Sequence, residues 1–125
     1  MSKASVNVVQ IMGRLGADPE LKGNGDHRFV SFRVATSESR LVGRNWVEDT
    51  EWHTVKIWGN TAPAFCQRAK KGTMVHIEGK LTSHIYNEKR YWEIKSRRWQ
   101  IVTDGQKIDT SEKLLGPGPP QNEPW

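Results

Sequence analysis

Hydrophobic and polar residues alternate along most of the first hundred positions. In residues 5–16, SVNVVQIMGRLG, Val9 and Ile11 fall on one face and Val8, Gln10 and Met12 on the other, the two-residue period of a strand. The following ADPELKGNGDH carries Pro19, Gly23, Asn24 and Gly25 and reads as a loop or hairpin connection. Alternation resumes over 28–37, with Val30, Phe32 and Val34 against Phe29, Ser31, Arg33 and Ala35. A polar connection, SESRLVGRNWVED, leads to a third strand in TEWHTVKIWG, where His53, Val55 and Ile57 alternate with Trp52, Thr54, Lys56 and Trp58.

Between residues 61 and 71 the period changes. Ala62, Phe65, Cys66 and Ala69 recur at helical spacing, with Asn60 or Thr61 as cap and Gly72 as terminator, which predicts one helix of about three turns. A fourth strand follows in TMVHIEGKLTSHIY, with Val75, Ile77 and Leu81 on one face, and a fifth in RYWEIKSRRWQIV after a turn at Asn87, Glu88 and Lys89. Three strands, a helix and two strands is the order of an OB-fold, a five-stranded Greek-key barrel that closes its sheet and so limits exposed edges. The expected class is all-β with one short helix. Gly79 falls on the inward register of strand four, either as the site of a sharp barrel bend or as a surface glycine between two shorter strands. Trp92 and Trp99 fall on opposite faces of strand five, so at least one is expected in the core.

Composition adds charge and a boundary. The chain has 125 residues, enough for about one domain. Residues 1–102 hold 17 basic and 10 acidic side chains (+7), whereas 103–125 hold 2 and 4 (−2), so a basic body precedes a mildly acidic end. That excess favours an acidic polymer as partner. Periodicity is lost from Thr103 onward, and GPGPPQNEPW is rich in proline. The expected division is a folded domain over 1–103 and a flexible tail over 104–125. No apolar run is long enough to span a membrane, and Cys66, the single cysteine, permits no internal disulfide and suits a reducing interior.

Catalysis finds little support in these residues. His27, His53, His76 and His84 show no metal-ligand spacing, and the body's carboxylates fall mainly in expected loops and turns. Cys66 sits among alanines on the apolar side of the helix, as a structural thiol does. No metal and no cofactor is expected.

Binding chemistry is better supplied. Strand three interleaves Trp52, Lys56 and Trp58 on the face opposite its own apolar set. Unpaired nucleobases expose π-faces that stack on such rings, each worth roughly 1–3 kcal/mol, while cations follow the phosphates. The competing reading buries both tryptophans beneath a loop or another subunit, but Lys56 between them would be poorly solvated there. Arg33 on strand two, and Lys80 and Tyr86 on strand four, extend the same surface if the sheet order is right, with Phe29 at its edge. Trp46, beside Arg44 in the expected loop between strands two and three, either clamps a base or covers the barrel.

The stretches NVVQIMGRLGADPEL (7–21), VATSES (34–39), TEWHTVKIWG (50–59) and KKGTMVHIEGKL (70–81) resemble the bacterial-type single-stranded DNA-binding proteins, also found in phages and mitochondria. The resemblance spans residues 5–102. It implies an OB-fold, assembly as a homotetramer with a dimer as the alternative, and sequence-tolerant binding of single-stranded DNA in replication, recombination and repair. Position by position, the stacking aromatics match Trp52, Trp58, where the family usually has Phe, and Tyr86. Arg40 stands where a family tryptophan follows TSES; Trp46 is a candidate to compensate. His53 matches a histidine of subunit contact and also lies on the inward register, where core packing is the plain alternative; Asn7 and His76 are placed with it at the subunit interface.

Family members from bacteria often end in an acidic run closed by Pro-Phe that recruits partner enzymes. Here Asn122, Glu123, Pro124 and Trp125 keep a Pro-aromatic end with little charge, and Glu123, Pro124 and Trp125 are the expected docking tip for replication or recombination proteins. Arg33, Arg40, Lys56 and Lys80 are the expected phosphate contacts. Rival readings are an OB-fold RNA-binding or primosome-type subunit, a small nuclease, and a structural OB subunit of a larger assembly. The expected location is the bacterial cytoplasm, at the nucleoid, with a phage gene as the other fit.

Overall fold

Two long hairpins and one short strand close the barrel in a computed structural model that describes residues 4–103. In chain order the elements are β1 (Val9–Leu15), β2 (Glu20–Lys22), β3 (Phe29–Val42), β4 (Asn45–Trp58), α1 (Ala62–Arg68), β5 (Met74–Tyr86) and β6 (Lys89–Thr103). The sheet runs β1-β5-β6-β4-β3, and a further β1–β3 pairing at Arg14 and Leu15 returns it to its start. Among the described residues only β4 and β6 pair in parallel. The result is the five-stranded OB barrel, with α1 between the third and fourth barrel strands as the hydrophobic pattern predicts.

Alternation fills the interior. Leu15, Val30, Phe32, Val34, Val55, Ile57, Val75, Ile77 and Ile94 point inward and are buried, and Ala62, Phe65 and Ala69 of the helix segment plug the barrel. Phe65 stacks on Phe32 at 4.5 Å between ring centroids and meets Trp99 edge-on at 5.0 Å. Trp99 is also tied to the helix start, where its indole N–H donates to Thr61 Oγ1 at 3.2 Å.

Several expectations are corrected. The segment read as a loop after β1 contains β2, which pairs with Phe29–Ser31; three exposed residues are too few to show a period. The polar connection between the second and third predicted strands is strand as well. β3 and β4 stay paired from Phe29↔Trp58 to Val42↔Asn45, and Gly43 (φ +62°) and Arg44 make the turn. Beyond Ser37, itself buried, this hairpin leaves the barrel, its side chains are exposed or half-buried on both faces, and alternation disappears from the sequence. Trp46 therefore stands on β4 and not in a loop.

The helix has 7 residues, about two turns, and ends at Arg68 well before Gly72. Ala69 adopts an extended backbone and is buried, and Gly72 (φ +90°) turns the chain into β5 while its N–H donates to Leu15 O at 2.9 Å. Thr61 caps by position only, without a side-chain hydrogen bond to the helix.

In β5 and β6, Gly79 is buried on the inward register beside a register shift, which supports the barrel-bend reading over the surface one. The same irregularity leaves Arg97 as an extra residue between Gly79↔Ser96 and Glu78↔Arg98. Trp92 and Trp99 consequently share one face instead of opposite ones. Trp99 packs against the core, while Trp92 stands past the barrel rim and is exposed. Leu81, expected inside with Val75 and Ile77, is exposed although its partner Ile94 is buried, because β1 pairs with β5 only as far as Gly79.

Candidate nucleic-acid interface

The outer face of β3 and β4 carries rings and cations in register. Phe29 pairs with Trp58, Ser31 with Lys56, Arg33 with Thr54 and Ala35 with Trp52, and the alternation that sends Val55 and Ile57 inward sends these side chains out. Trp52 and Trp58 are 47% and 44% exposed, so neither ring is sequestered in the chain's own core. Trp58 lies on Phe29 at 4.4 Å between centroids with a 30° tilt. The Arg33 guanidinium sits 5.1 Å above the Trp52 ring, and Lys56 Nζ is 5.3 Å from the centre of Phe29.

A row of cations crosses the neighbouring strands. Lys56 of β4 pairs with Lys95 of β6, which pairs with Lys80 of β5. All three alternate with inward residues, Val55, Ile94 and Gly79, and so face outward. Beside this row the β5–β6 hairpin rises over the barrel. Asn87 (φ 52°) and Glu88 (φ 65°) form its two-residue turn, with both residues left-handed as a primed hairpin turn requires. That turn sets Tyr91 opposite His84, their rings stacked at 5.7 Å.

Together these elements enclose an open groove of about 360 Å³ lined by Phe29, Lys56, His84, Tyr86, Tyr91 and Glu93, among others. Glu93 lies 3.4 Å from Lys56 Nζ and 3.4 Å from His84 Nδ1. The groove can hold a planar ring against aromatic side chains with a cation beside it. Phe29, Lys56 and Tyr86 share this groove, while Arg33 and Trp52 line the next cleft along β3 and β4.

Two candidates stand apart. Arg40 lies on the opposite register of the β3–β4 hairpin from Trp52, and its Nε donates to Asp49 Oδ2 at 2.6 Å. Trp46 shares the outward register of Trp52 but is six residues along the strand, roughly 20 Å at about 3.3 Å per residue. Lys95, His84, Tyr91, Glu93 and Trp92 were not singled out as site residues. The signal was in the turn: two residues between Tyr86 and Lys89 fix the β5–β6 register and with it the outward set Tyr91, Glu93 and Lys95.

The residues expected at a subunit interface all have partners within the chain. The Asn7 amide donates to Leu81 O and accepts from Leu81 N, each at 2.9 Å, which ties the leading segment to β5. His53 Nε2 is 2.8 Å from Thr36 Oγ1, and His76 Nε2 is 2.8 Å from Gln10 Nε2. One edge of β1 pairs with β5 from Val9 to Arg14, whereas the other pairs with β3 only at Arg14 and Leu15. Glu123, Pro124, Trp125 and the whole segment 104–125 lie outside the described residues. Among the described residues no group of three His, Cys, Asp or Glu side chains could hold a metal, and no helix is long and apolar enough to cross a membrane. Cys66 is half-buried, its thiol directed at Pro19 O at 3.4 Å.

A closed five-stranded barrel with an aromatic and cationic outer face defines the class: an OB-fold module. Residues 6–109 match the model of the Single-strand binding protein family, and the chain belongs to that family. A single-stranded DNA-binding protein of Neisseria meningitidis serogroup A is 36% identical over 123 residues, covering 95% of this chain and 68% of that one. The mitochondrial single-stranded DNA-binding protein of Drosophila melanogaster is 38% identical over 80 residues, which is 62% of this chain; the match spans 55% of the relative's length. Among solved structures, a Plasmodium falciparum SSB in complex with ssDNA superposes with a TM-score of 0.67 at 23% identity, over 82% of this chain and 98% of that one. At that identity the likeness is one of fold.

Proposed function

We propose that this protein binds single-stranded DNA with little regard to sequence, stacking bases on Trp52, Trp58, Tyr86 and Phe29 and contacting phosphates through Arg33, Lys56, Lys80 and Lys95. The observation that carries the reading is the outward ladder of Trp52, Lys56 and Trp58 on β4, facing Phe29 and Arg33 on β3. Its rings are open to a base and its cations stand beside them. Duplex DNA hides the base faces that such rings recognise, so discrimination for single strands follows from stacking. Family membership supports the same reading, as does the name of the Neisseria relative.

The finer reading adds assembly and context. A homotetramer, with a dimer as the smaller alternative, would use the free edge of β1 with its exposed Met12, and the exposed Val8 just before it, with Asn7, His53 and His76 near the contact. Glu123, Pro124 and Trp125 would dock replication or recombination proteins. The role is non-catalytic coating of single strands in replication, recombination and repair, in a bacterial cytoplasm or from a phage gene. Titration with single- and double-stranded oligonucleotides at two salt concentrations, read by tryptophan fluorescence beside a native mass, tests this. Quenching by oligo-dT that weakens with salt is expected; equal affinity for duplex would overturn it.

A further inference from the structure

One carboxylate lies among the cations of the groove. Glu93 stands on β6 between Lys56 of β4 and His84 of β5, and the same oxygen, Oε1, faces both at 3.4 Å. The Glu93 side chain is 13% exposed and that of Lys56 23%. Both distances exceed the usual 2.7–3.2 Å of an N–H···O hydrogen bond, so the Lys56 contact is electrostatic and loosely held, and the His84 contact is an ion pair only when the ring carries its proton. The other titratable groups on this face are Lys22 from β2, Tyr86 from β5 and Tyr91 from β6, which line the groove, and Lys95 of β6 and Lys80 of β5, which continue the cation row from Lys56. No second carboxylate is among the described residues lining the groove.

A phosphate arriving on Lys56 therefore meets an anion already in place. We propose that Glu93 is an internal phosphate mimic that occupies Lys56 and His84 in the free protein and is displaced from Lys56 when a single strand binds. The idea rests on the single-stranded DNA reading and adds a residue that opposes binding from within the site. Once Lys56 turns to a phosphate, the sheltered Glu93 carboxylate regains little water and needs another cation. His84 is in place to supply it by taking up a proton. Lysine and tyrosine keep one charge state between about pH 5.5 and 8, whereas histidine is the side chain whose charge changes there. DNA binding and proton uptake then favour each other, by the reciprocity of linked equilibria, and affinity falls as pH rises.

The test measures anisotropy of a labelled oligo-dT from pH 5.5 to 8 with wild-type protein, Glu93→Gln, Glu93→Asp and His84→Gln, with circular dichroism as a check of folding. Glu93→Gln is expected to bind about two- to fivefold more tightly at pH 7.5, the scale of one lost ion-pair competitor. Its pH dependence flattens, as does that of His84→Gln, and Glu93→Asp falls between wild type and Glu93→Gln because its shorter arm withdraws from Lys56. Glu93→Gln protein that is folded yet binds no tighter, or keeps the wild-type pH profile, overturns the proposal; so does Glu93→Asp binding more weakly than wild type. Wild-type protein that ignores oligo-dT at every pH overturns the binding reading, and the mimic falls with it.

Discussion

The Trp52 ring lies against the backbone of Gly16: a Cβ built at Gly16 would stand 2.5 Å from Cζ3 and 2.7 Å from Cη2 of the indole. Gly16 follows the last residue of β1, where the chain also bonds to β3 through its N–H to Arg33 O at 3.2 Å. The missing side chain at 16 thus leaves room for the outer edge of the indole's six-membered ring, while the Arg33 guanidinium lies over the ring from β3. Gly16→Ala must displace the ring, since the far end of a side chain yields before backbone does. Expected is a shifted Trp52 emission and a several-fold loss of affinity for oligo-dT with a small change in melting temperature. Unchanged affinity with a displaced emission would separate the ring's position from binding.

Removing the rings themselves should cost more. Trp52→Ala and Trp58→Ala are each expected to weaken binding by about 1–3 kcal/mol and to reduce fluorescence quenching by oligo-dT. Trp58 has the additional contact with Phe29, so Trp58→Phe should keep most of the affinity, because a smaller ring still covers Phe29 and still offers a face. Trp46→Ala should have the smallest effect, given its place far along the hairpin from the other rings. Fluorescence titrations of the four variants against one oligonucleotide rank them directly.

The cations can be sorted by salt dependence. A phosphate contact releases a counterion, and on single strands each contributes about 0.7 to the slope of log K against log salt. Lys95→Ala and Lys80→Ala should each lower the slope by about that amount. Arg40→Ala should leave it nearly unchanged, since Arg40 is paired with Asp49 on the other face of its hairpin. A slope that falls as much for Arg40 as for Lys95 would mean that the strand's path follows the β3–β4 hairpin and not the lysine row.

What the sequence disclosed follows the barrel wall. Where one face is buried and the other wet, as for Val55 and Ile57 against Trp52 and Trp58, a period of two states both the strand and the direction of each side chain. It failed where that asymmetry ends. Both hairpins run past the barrel, so residues 37–49 looked like a connection and Leu81, beyond the end of the β1 pairing, looked internal. The extra residue Arg97 was equally hidden: one bulge reverses the parity of everything after it, and it turned Trp99 inward although Trp92 stands on the same side. Of the site, the β4 rings were legible from their own strand. Tyr91, Glu93 and Lys95 were not, because their direction depends on pairing with β5. Arg40 and Asp49 illustrate the same limit: nine residues apart, they meet only because β3 and β4 continue as a hairpin.

The bulge also makes a stability prediction at Gly79. A Cβ there would lie 2.1 Å from the carbonyl oxygen of Lys95 and 2.9 Å from Cα of Ser96, both backbone atoms of the paired strand. Neither can step aside as a side-chain tip would, so Gly79→Ala must push β5 from β6 where the barrel bends. Overpacking of this kind costs about 1–3 kcal/mol or more, and for a domain of this size each kcal/mol lowers the melting temperature by about 4–8 °C. Gly79→Ala is therefore expected to melt about 10 °C or more below wild type. Because Lys80 and Lys95 flank the strained point, the variant should also bind oligo-dT more weakly at temperatures where it is fully folded. Gly25, whose added Cβ would meet nothing within 4 Å, supplies the control: its positive φ of 53° makes alanine there a matter of local strain alone. Thermal denaturation of the two variants side by side distinguishes interstrand crowding from backbone conformation, and a Gly79→Ala protein as stable as the Gly25→Ala protein would refute the close approach of β5 and β6.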